Sequence, residues 1–384
     1  MTRRIKEYLF SLGLQPIWVG IKHGTVIMFH VWIFLKKILR LFGINAIIVE
    51  YEISKEANIT KKIILPFQKI HIPEIKIFNW WEKIQHFDHM VYTVPHGKIF
   101  GSYTIATWDN KILRDVTRWH KKDIGTNIYA YHLFPGKIKL IKGITAVLTW
   151  NDTDKNYHHR ITVSLPKYYI IKKSWIPIDT YMVDTTSGFH KESLTALWIG
   201  SSHIISPNPH TYYQCENLIC TNNTTLYGVI QPWVQSFVRE LFLPSSSVQT
   251  PTRKLYIKRI SSRKIVNDKE FEKFITSQGF EVFVMEWMSI KQQAELFHQT
   301  SIIIGPHGAG LTNIIFCQPW TTLIELFHPE TIFWHYYAMA ASCGLKYIPI
   351  VGTIQKNPKI MAMDRDMIID LKQVDDVLKK ILNK

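Results

Sequence analysis

The chain holds only four cysteines, Cys215, Cys220, Cys317 and Cys343, in 384 residues. They make no Cys-x-x-Cys pair and no zinc-finger spacing, which argues against a disulfide framework and a structural zinc module. Cys317 and Cys343 sit in apolar helical contexts as buried thiols. Cys215 and Cys220 can pair, but a reducing compartment fits the count better. The N-x-Thr sequons at Asn58, Asn151, Asn222 and Asn223 match by chance easily in a chain rich in Asn and Thr. An apolar run of ~20 residues, the length a membrane span needs, is missing. So are internal repeats, low-complexity tracts, and helix-turn-helix or RNP signatures, which leaves nucleic-acid binding the least fitting use of a basic chain.

Acidic residues are scarce at one end. Net charge is +16, and residues 1–43 contribute Arg3, Arg4, Lys6, Lys22, Lys36, Lys37 and Arg40 against Glu7 alone. Gly24 to Leu35 is an apolar run of twelve with His30 inside it. It is too short to span a bilayer, and no small-residue cleavage site follows it. This segment reads either as a basic amphipathic helix on an anionic membrane surface or as a helix packed on the domain behind it. The expected location is cytoplasmic, with peripheral attachment to the cytoplasmic face of a membrane under the first alternative.

The remaining length suffices for two domains. Residues 44–243 are mixed: strand-like runs at Ala46–Tyr51, Lys98–Thr107, Ile144–Thr149 and Trp198–Ile205, an Asp109-Asn110 hairpin turn, and helical patterns at 156–173 and 231–242. Residues 244–252, Pro-Ser-Ser-Ser-Val-Gln-Thr-Pro and the following Thr252, read as a linker. From residue 253 to 384 strands and helices alternate regularly. Strands are expected near 254–259, 280–285, 301–305, 322–327, 346–351 and 367–370, and helices near 268–277, 289–299, 310–317, 331–342 and 371–383. That alternation predicts a doubly wound α/β domain that binds ligand at the C-terminal strand ends.

The most informative stretch is 301–326. An apolar strand breaks into Gly305-Pro-His307-Gly308-Ala309-Gly310, Leu311-Thr312-Asn313 opens a helix, and a second strand carries Glu325. The loop has neither GxGxxG spacing nor the Lys-Ser/Thr of a P-loop. By spacing it is either a diphosphate-binding turn or a tight structural one. As a ligand loop its chemistry is coherent. The amides of Gly308 to Leu311 face phosphates, Arg259 donates a bidentate fork, and His307 bonds or protonates a phosphate oxygen. Thr312 and Asn313 cap the helix and reach the ligand, and Glu325 meets a ribose diol.

Gly-Pro-His-Gly-Ala-Gly-Leu-Thr-Asn-Ile-Ile-Phe, followed by a strand with an internal Glu, resembles the signature of glycosyltransferase family 61. Arg253 to Arg259 is similar to that family's strand ending in Tyr-Ile-Ser-Arg, with Lys258 replacing Ser. Arg263 to Asp268, Gly279 to Glu286 and Ser289 resemble the segments that follow. Upstream, Asn156-Tyr157-His158-His159 and Leu165-Pro166-Lys167 resemble its Asn-Tyr-x-His-Trp…Leu-Pro-Arg block, with Arg160 in place of Trp and Val163 in place of an Asp. The resemblance covers roughly residues 85–384.

It implies a GT-B-like fold of two Rossmann-like domains with a ligand cleft between them. The implied activity is inverting sugar transfer from a nucleotide sugar, a UDP-sugar first, to a glycan or lipid-linked acceptor in surface polysaccharide synthesis. Arg259, Gly305, His307, Gly308, Ala309, Gly310, Leu311, Thr312, Asn313 and Glu325 are the implied donor-side residues. Asn156 and Tyr157 fall on the acceptor side, and His159 is the candidate general base. No metal cofactor is expected; Asp152-Thr-Asp154 has the spacing of a metal pair but a loop context. Because Arg160 and Val163 depart from the pattern, a non-catalytic nucleotide-sugar-binding scaffold is the alternative.

Overall fold

The computed structural model describes residues 41, 48–50, 59–73, 88–100, 104–113, 116–117, 138–149, 156–208, 211–225, 228–243, 250–354 and 364–382. The basic segment up to residue 40, the linker residues 244–249 and the Asp152/Asp154 pair lie outside them. Among the described residues no helix is long and apolar enough to cross a membrane.

The first half is a ten-stranded sheet of β1 (Ile48–Glu50), β2 (Thr60–Leu65), β3 (His89–Pro95), β4 (Lys98–Phe100), β5 (Thr104–Ala106), β6 (Lys111–Leu113), β7 (Ile138–Val147), β8 (Thr180–Met182), β9 (Ile204–Ile205) and β10 (Tyr212–Thr221). It is mixed, not wholly parallel. On one side β10, β7, β8 and β9 run parallel; on the other, β3 and β4 pair antiparallel with β10. His96-Gly97 kinks one long strand into β3 and β4, and the Asp109-Asn110 turn, with Asn110 at φ 68, closes β5 onto β6. Two-residue turns of this kind need a residue tolerant of positive φ.

A broken helix connects β7 to β8: α1 (Tyr157–His159), a π-turn at Arg160–Ser164, and α2 (Leu165–Lys173). Ile170 and Ile171 of α2 pack with Ala146, Tyr181, Val183 and, from α3 (Gly188–Ala196), Leu194. The other face of α2 turns the opposite way, and Ile161 and Leu165 enter the core of the second half. So does α4 (Pro232–Phe242), whose buried Val234, Phe237, Val238 and Phe242 join Leu255, Ile257, Ile303 and Leu323. The two halves therefore share one apolar core.

The second half is a five-stranded, wholly parallel sheet of β11 (Arg253–Ile257), β12 (Glu281–Phe283), β13 (Thr300–Pro306), β14 (Thr322–Phe327) and β15 (Lys346–Val351). Its spatial order is β12-β11-β13-β14-β15. Side chains alternate across it with period two. Leu255, Ile257, Ile303 and Leu323 meet α6 (Ile290–His298), α7 (His335–Ser342) and α4 on one face. Tyr256, Ile302, Ile304, Ile324 and Leu326 meet α5 (Asp268–Ser277) and α8 (Leu371–Leu382) on the other. The chain reverses its winding between β11 and β13, so the crevice at their C-terminal ends is where such a sheet opens to a ligand.

Two expectations change in detail. The helix expected over 310–317 is a 3-10 helix, Ala309–Phe316. The strand expected over 367–370, Met367–Ile368 (β17), does not join the parallel sheet but pairs antiparallel with Thr353–Ile354 (β16).

Candidate functional site

The glycine loop leaves β13 at that crevice, and Arg259 leaves β11 beside it. A Cβ placed on Gly308 would sit 1.9 Å from Arg259 Nη1. Gly308 is thus the residue that lets the guanidinium lie against the loop backbone. Arg259 is steadied by Nε donating to the Ser262 carbonyl at 2.7 Å. Its pKa is lowered, by burial first and by the neighbouring Arg263 second. Arg263 has a buried Nε with no partner among the described residues. Both guanidiniums act on the Tyr336 hydroxyl, whose pKa burial nevertheless raises. Two cations held close together and under-partnered form a site for an anion.

The loop's remaining members divide between facing that anion site and bracing it. Leu311 N–H is consumed by the Gly308 carbonyl at 2.9 Å, so the amides heading the 3-10 helix are those of Gly308, Ala309 and Gly310. Gly305 and Gly310 do not make room for a ligand. Cβ atoms there would stand 3.0 Å from Ile257 Cβ and 3.0 Å from Met285 Cγ, so their bareness serves strand and turn packing. Asn313 is fully buried: its Nδ2 donates to Gln293 Oε1 at 2.5 Å and to the Gly310 carbonyl at 3.0 Å. Thr312, also fully buried, bonds His158 Nδ1 at 2.9 Å and the Tyr336 hydroxyl at 3.3 Å. Both position the loop instead of reaching a ligand.

Glu325 takes a different place from the expected ribose contact. Its side chain has no exposure, His307 Nδ1 lies 2.5 Å from Oε1, and Tyr347 donates its hydroxyl to Oε2 at 2.6 Å. With both oxygens engaged and no surface, it orients His307. A carboxylate accepts, so Nδ1 carries the imidazole proton and Nε2 is the nitrogen left for a ligand. The ring is packed by Phe327, Phe333 and Tyr336, with centroids 5.7, 5.0 and 5.2 Å away.

The first half delivers α1 to this loop. Asn156 is its N-cap, accepting from His158 N at 2.9 Å. Tyr157 donates its hydroxyl to Asn313 Oδ1 at 2.7 Å, which ties the helix start to the loop and uses that hydroxyl there. The histidine that touches the loop is His158. His159 follows it, ring centroids 5.7 Å apart. Arg160 and Val163 are buried in the π-turn one step further on. Arg160 donates to Ser193 Oγ at 2.8 Å and Ser164 Oγ at 2.9 Å, and burial lowers its pKa to about 10. Their departure from the motif falls in the supporting core. His158, Arg263, Tyr336, Gln293 and Tyr347 join the site without having been singled out for it. Only Arg263 and His158 stood inside motifs that could have pointed to them. Among the described residues no cluster of three or more His, Cys, Asp or Glu has metal-ligand geometry.

Residues 136–324 match the family model described as Glycosyltransferase 61. The chain carries a glycosyltransferase 61 domain. The matched region runs from β7 to β14 and contains α1, Arg259, Arg263 and the glycine loop. The chain is similar to the EGF domain-specific O-linked N-acetylglucosamine transferase of Rattus norvegicus, 34% identical over 108 residues, which is 27% of this chain and 20% of that protein. It is also similar to the beta-1,2-xylosyltransferase of Arabidopsis thaliana, 42% identical over 60 residues, 16% of this chain and 11% of that protein. The chain thus spans about a fifth of the length of the curated relatives it matches first. The Arg259–Gly308 contact and His307 lie within the matched residues, and Glu325, which holds His307, is the residue that follows them.

Proposed function

We propose that this chain is an inverting glycosyltransferase that moves a sugar from a nucleotide-sugar donor, a UDP-sugar, to a hydroxyl of a glycan or lipid-linked acceptor. The observation that carries this is the convergence of Arg259, Arg263, His307 and the amides of Gly308 to Gly310, which donate to no backbone carbonyl among the described residues, at one sheet crevice, inside a region matching a glycosyltransferase family. The donor's diphosphate lies against those groups. As the bond from the anomeric carbon to phosphate breaks, charge grows on the departing phosphate oxygens, and fixed donors there stabilise the transition state more than the ground state. His307, its Nδ1–H held by Glu325, serves that oxygen when Nε2 also carries a proton, so that Nε2–H donates to it.

The acceptor approaches from the side of α1, in a cleft between the two halves as in a GT-B-like arrangement. His158 is anchored on Thr312 at the donor loop. We assign the general base to its neighbour His159, which takes the acceptor hydroxyl proton as that oxygen attacks. The scaffold alternative rests on Arg160 and Val163, which are buried in the π-turn that follows α1. Residues 1–43 supply attachment to anionic membrane of the cytoplasmic face, each cation near the surface adding about 1 kcal/mol. Flotation with anionic vesicles tests this; equal flotation of full-length and truncated chains refutes it.

Release of nucleoside diphosphate from a panel of nucleotide sugars, with candidate acceptors, tests the activity. His159→Ala should cut turnover by about 10² to 10⁴ with donor affinity near wild type. His307→Ala should damage affinity and turnover together. A wild-type chain inert toward every donor would contradict the proposal, and a His159→Ala variant at full turnover would remove the base assignment.

A further inference from the structure

We infer that the nucleoside of the donor lies across the turn Met285–Trp287, its ribose hydroxyls on Glu286 and its base stacked on Trp287. This rests on the reading above that a nucleotide's diphosphate occupies the Arg259–Gly308 crevice.

Three observations place a nucleoside there. The turn is locked to the glycine loop. Met285 packs against Gly310, and buried Gln293 donates to the carbonyls of Met285 and Met288 at 3.0 Å each while its Oε1 accepts from Asn313. A ligand on the loop therefore meets this turn at a fixed distance. Next, Glu286 is exposed on the turn whose Met285 packs against Gly310, and its charge acts on Arg259. A carboxylate with accessible oxygens accepts from two vicinal hydroxyls, which is the task that buried Glu325 cannot perform.

Finally, Trp287 is 75% exposed and Ile260 45% exposed, and they line one recess of about 510 Å³ with Phe283, Met288, Gln292 and Lys258. That volume falls in the range of small-molecule sites. Lys258 N donates to the Phe283 carbonyl at 2.8 Å, so the exits of β11 and β12 form one floor. Lys258 is paired with Asp268 at 2.6 Å and at 2.5 Å with Glu272, which also lines the recess, so these charges engage one another and the apolar wall is that of Trp287, Phe283, Met288 and Ile260. Gln292 Oε1 accepts from Ser289 N, so its amide nitrogen is the donor it offers a base carbonyl such as those of uracil. The recess flanks β11 on the side opposite β13, so a diphosphate at β11/β13 and a base at β11/β12 span one continuous edge.

The test titrates UDP and inorganic pyrophosphate into full-length wild type, Trp287→Ala, Trp287→Phe and Glu286→Gln by calorimetry. Base stacking on an aromatic predicts that Trp287→Ala weakens UDP by roughly 5- to 150-fold and leaves pyrophosphate unchanged. Trp287→Phe should recover most of the loss. Glu286→Gln should weaken UDP but not 2′,3′-dideoxy-UDP. If wild type binds both ligands and Trp287→Ala binds UDP like wild type, the nucleoside assignment is overturned and the diphosphate reading stands. If wild type binds neither, both fall.

Discussion

Replacing Gly308 by Ala tests the Arg259 contact without touching Arg259. The backbone at Gly308 has φ 172, an extended conformation open to any residue, so the substitution carries no backbone strain. Its Cβ would lie 1.9 Å from Arg259 Nη1 and 2.9 Å from Cζ. Something must move, and the movable part is the end of a flexible side chain. Arg259 swings away and gives up its bonds to Ser262, at 2.7 Å to the carbonyl and 3.4 Å to the hydroxyl. Those bonds contribute about 1–2 kcal/mol to stability, so the variant stays folded. The displaced guanidinium no longer meets the diphosphate. Hydrogen bonds to a charged group are worth about 1.5–3 kcal/mol, or roughly 10- to 150-fold in affinity. Calorimetric titration with UDP should show that loss in Gly308→Ala, and a similar one in Arg259→Ala. The double variant should lose little more than either, because both remove the same interaction. A folded Gly308→Ala protein that binds UDP like wild type would refute the account of the loop.

Further outcomes follow from the supporting contacts. Glu325→Ala removes the acceptor that both the Tyr347 hydroxyl and His307 Nδ1 use, and denaturant titration should show a loss of about 1–3 kcal/mol together with lost turnover. Tyr157→Phe removes the donor to Asn313 Oδ1, and should cost about 1–2 kcal/mol and loosen the loop, read as weaker UDP binding. Burial lowers the His89 pKa from 6.5 to about 4. The unfolded chain takes up that proton near 6.5 and the folded chain only near 4. The stabilisation present above pH 6.5 is therefore lost as pH falls through that window, by about 3 kcal/mol. Unfolding measured at pH 7 and pH 4.5 checks this, and a slope unchanged in His89→Gln would refute it.

The parallel half was legible because each of its strands is a short apolar run bounded by Gly, Pro or charge, and each boundary falls within a few residues of the observed one. The first half was harder to read. Its central strand, Tyr212–Thr221, carries Gln214, Glu216 and Asn217, which break the apolar pattern; a register shift between Cys215 and Asn217 absorbs Glu216. Its centrality depends on pairings with strands far away in the chain, which no local window contains. The site followed the same division. The loop and Arg259 stood in recognisable segments. Which of two adjacent histidines meets Thr312 depends on helix rotation, about 100° per residue, set by packing. That Glu325 holds His307 depends on Tyr347, which reaches it from the neighbouring strand β15.

The most direct measurement of the central claim is the melting temperature of the full chain with and without UDP. If the crevice between β11 and β13 holds a nucleoside diphosphate, ligand at ~100 times its dissociation constant adds about 2.7 kcal/mol and raises the melting temperature, and Arg259→Ala abolishes most of that rise. No rise with UDP or with any nucleotide sugar, in a chain that melts cooperatively, would contradict the claim.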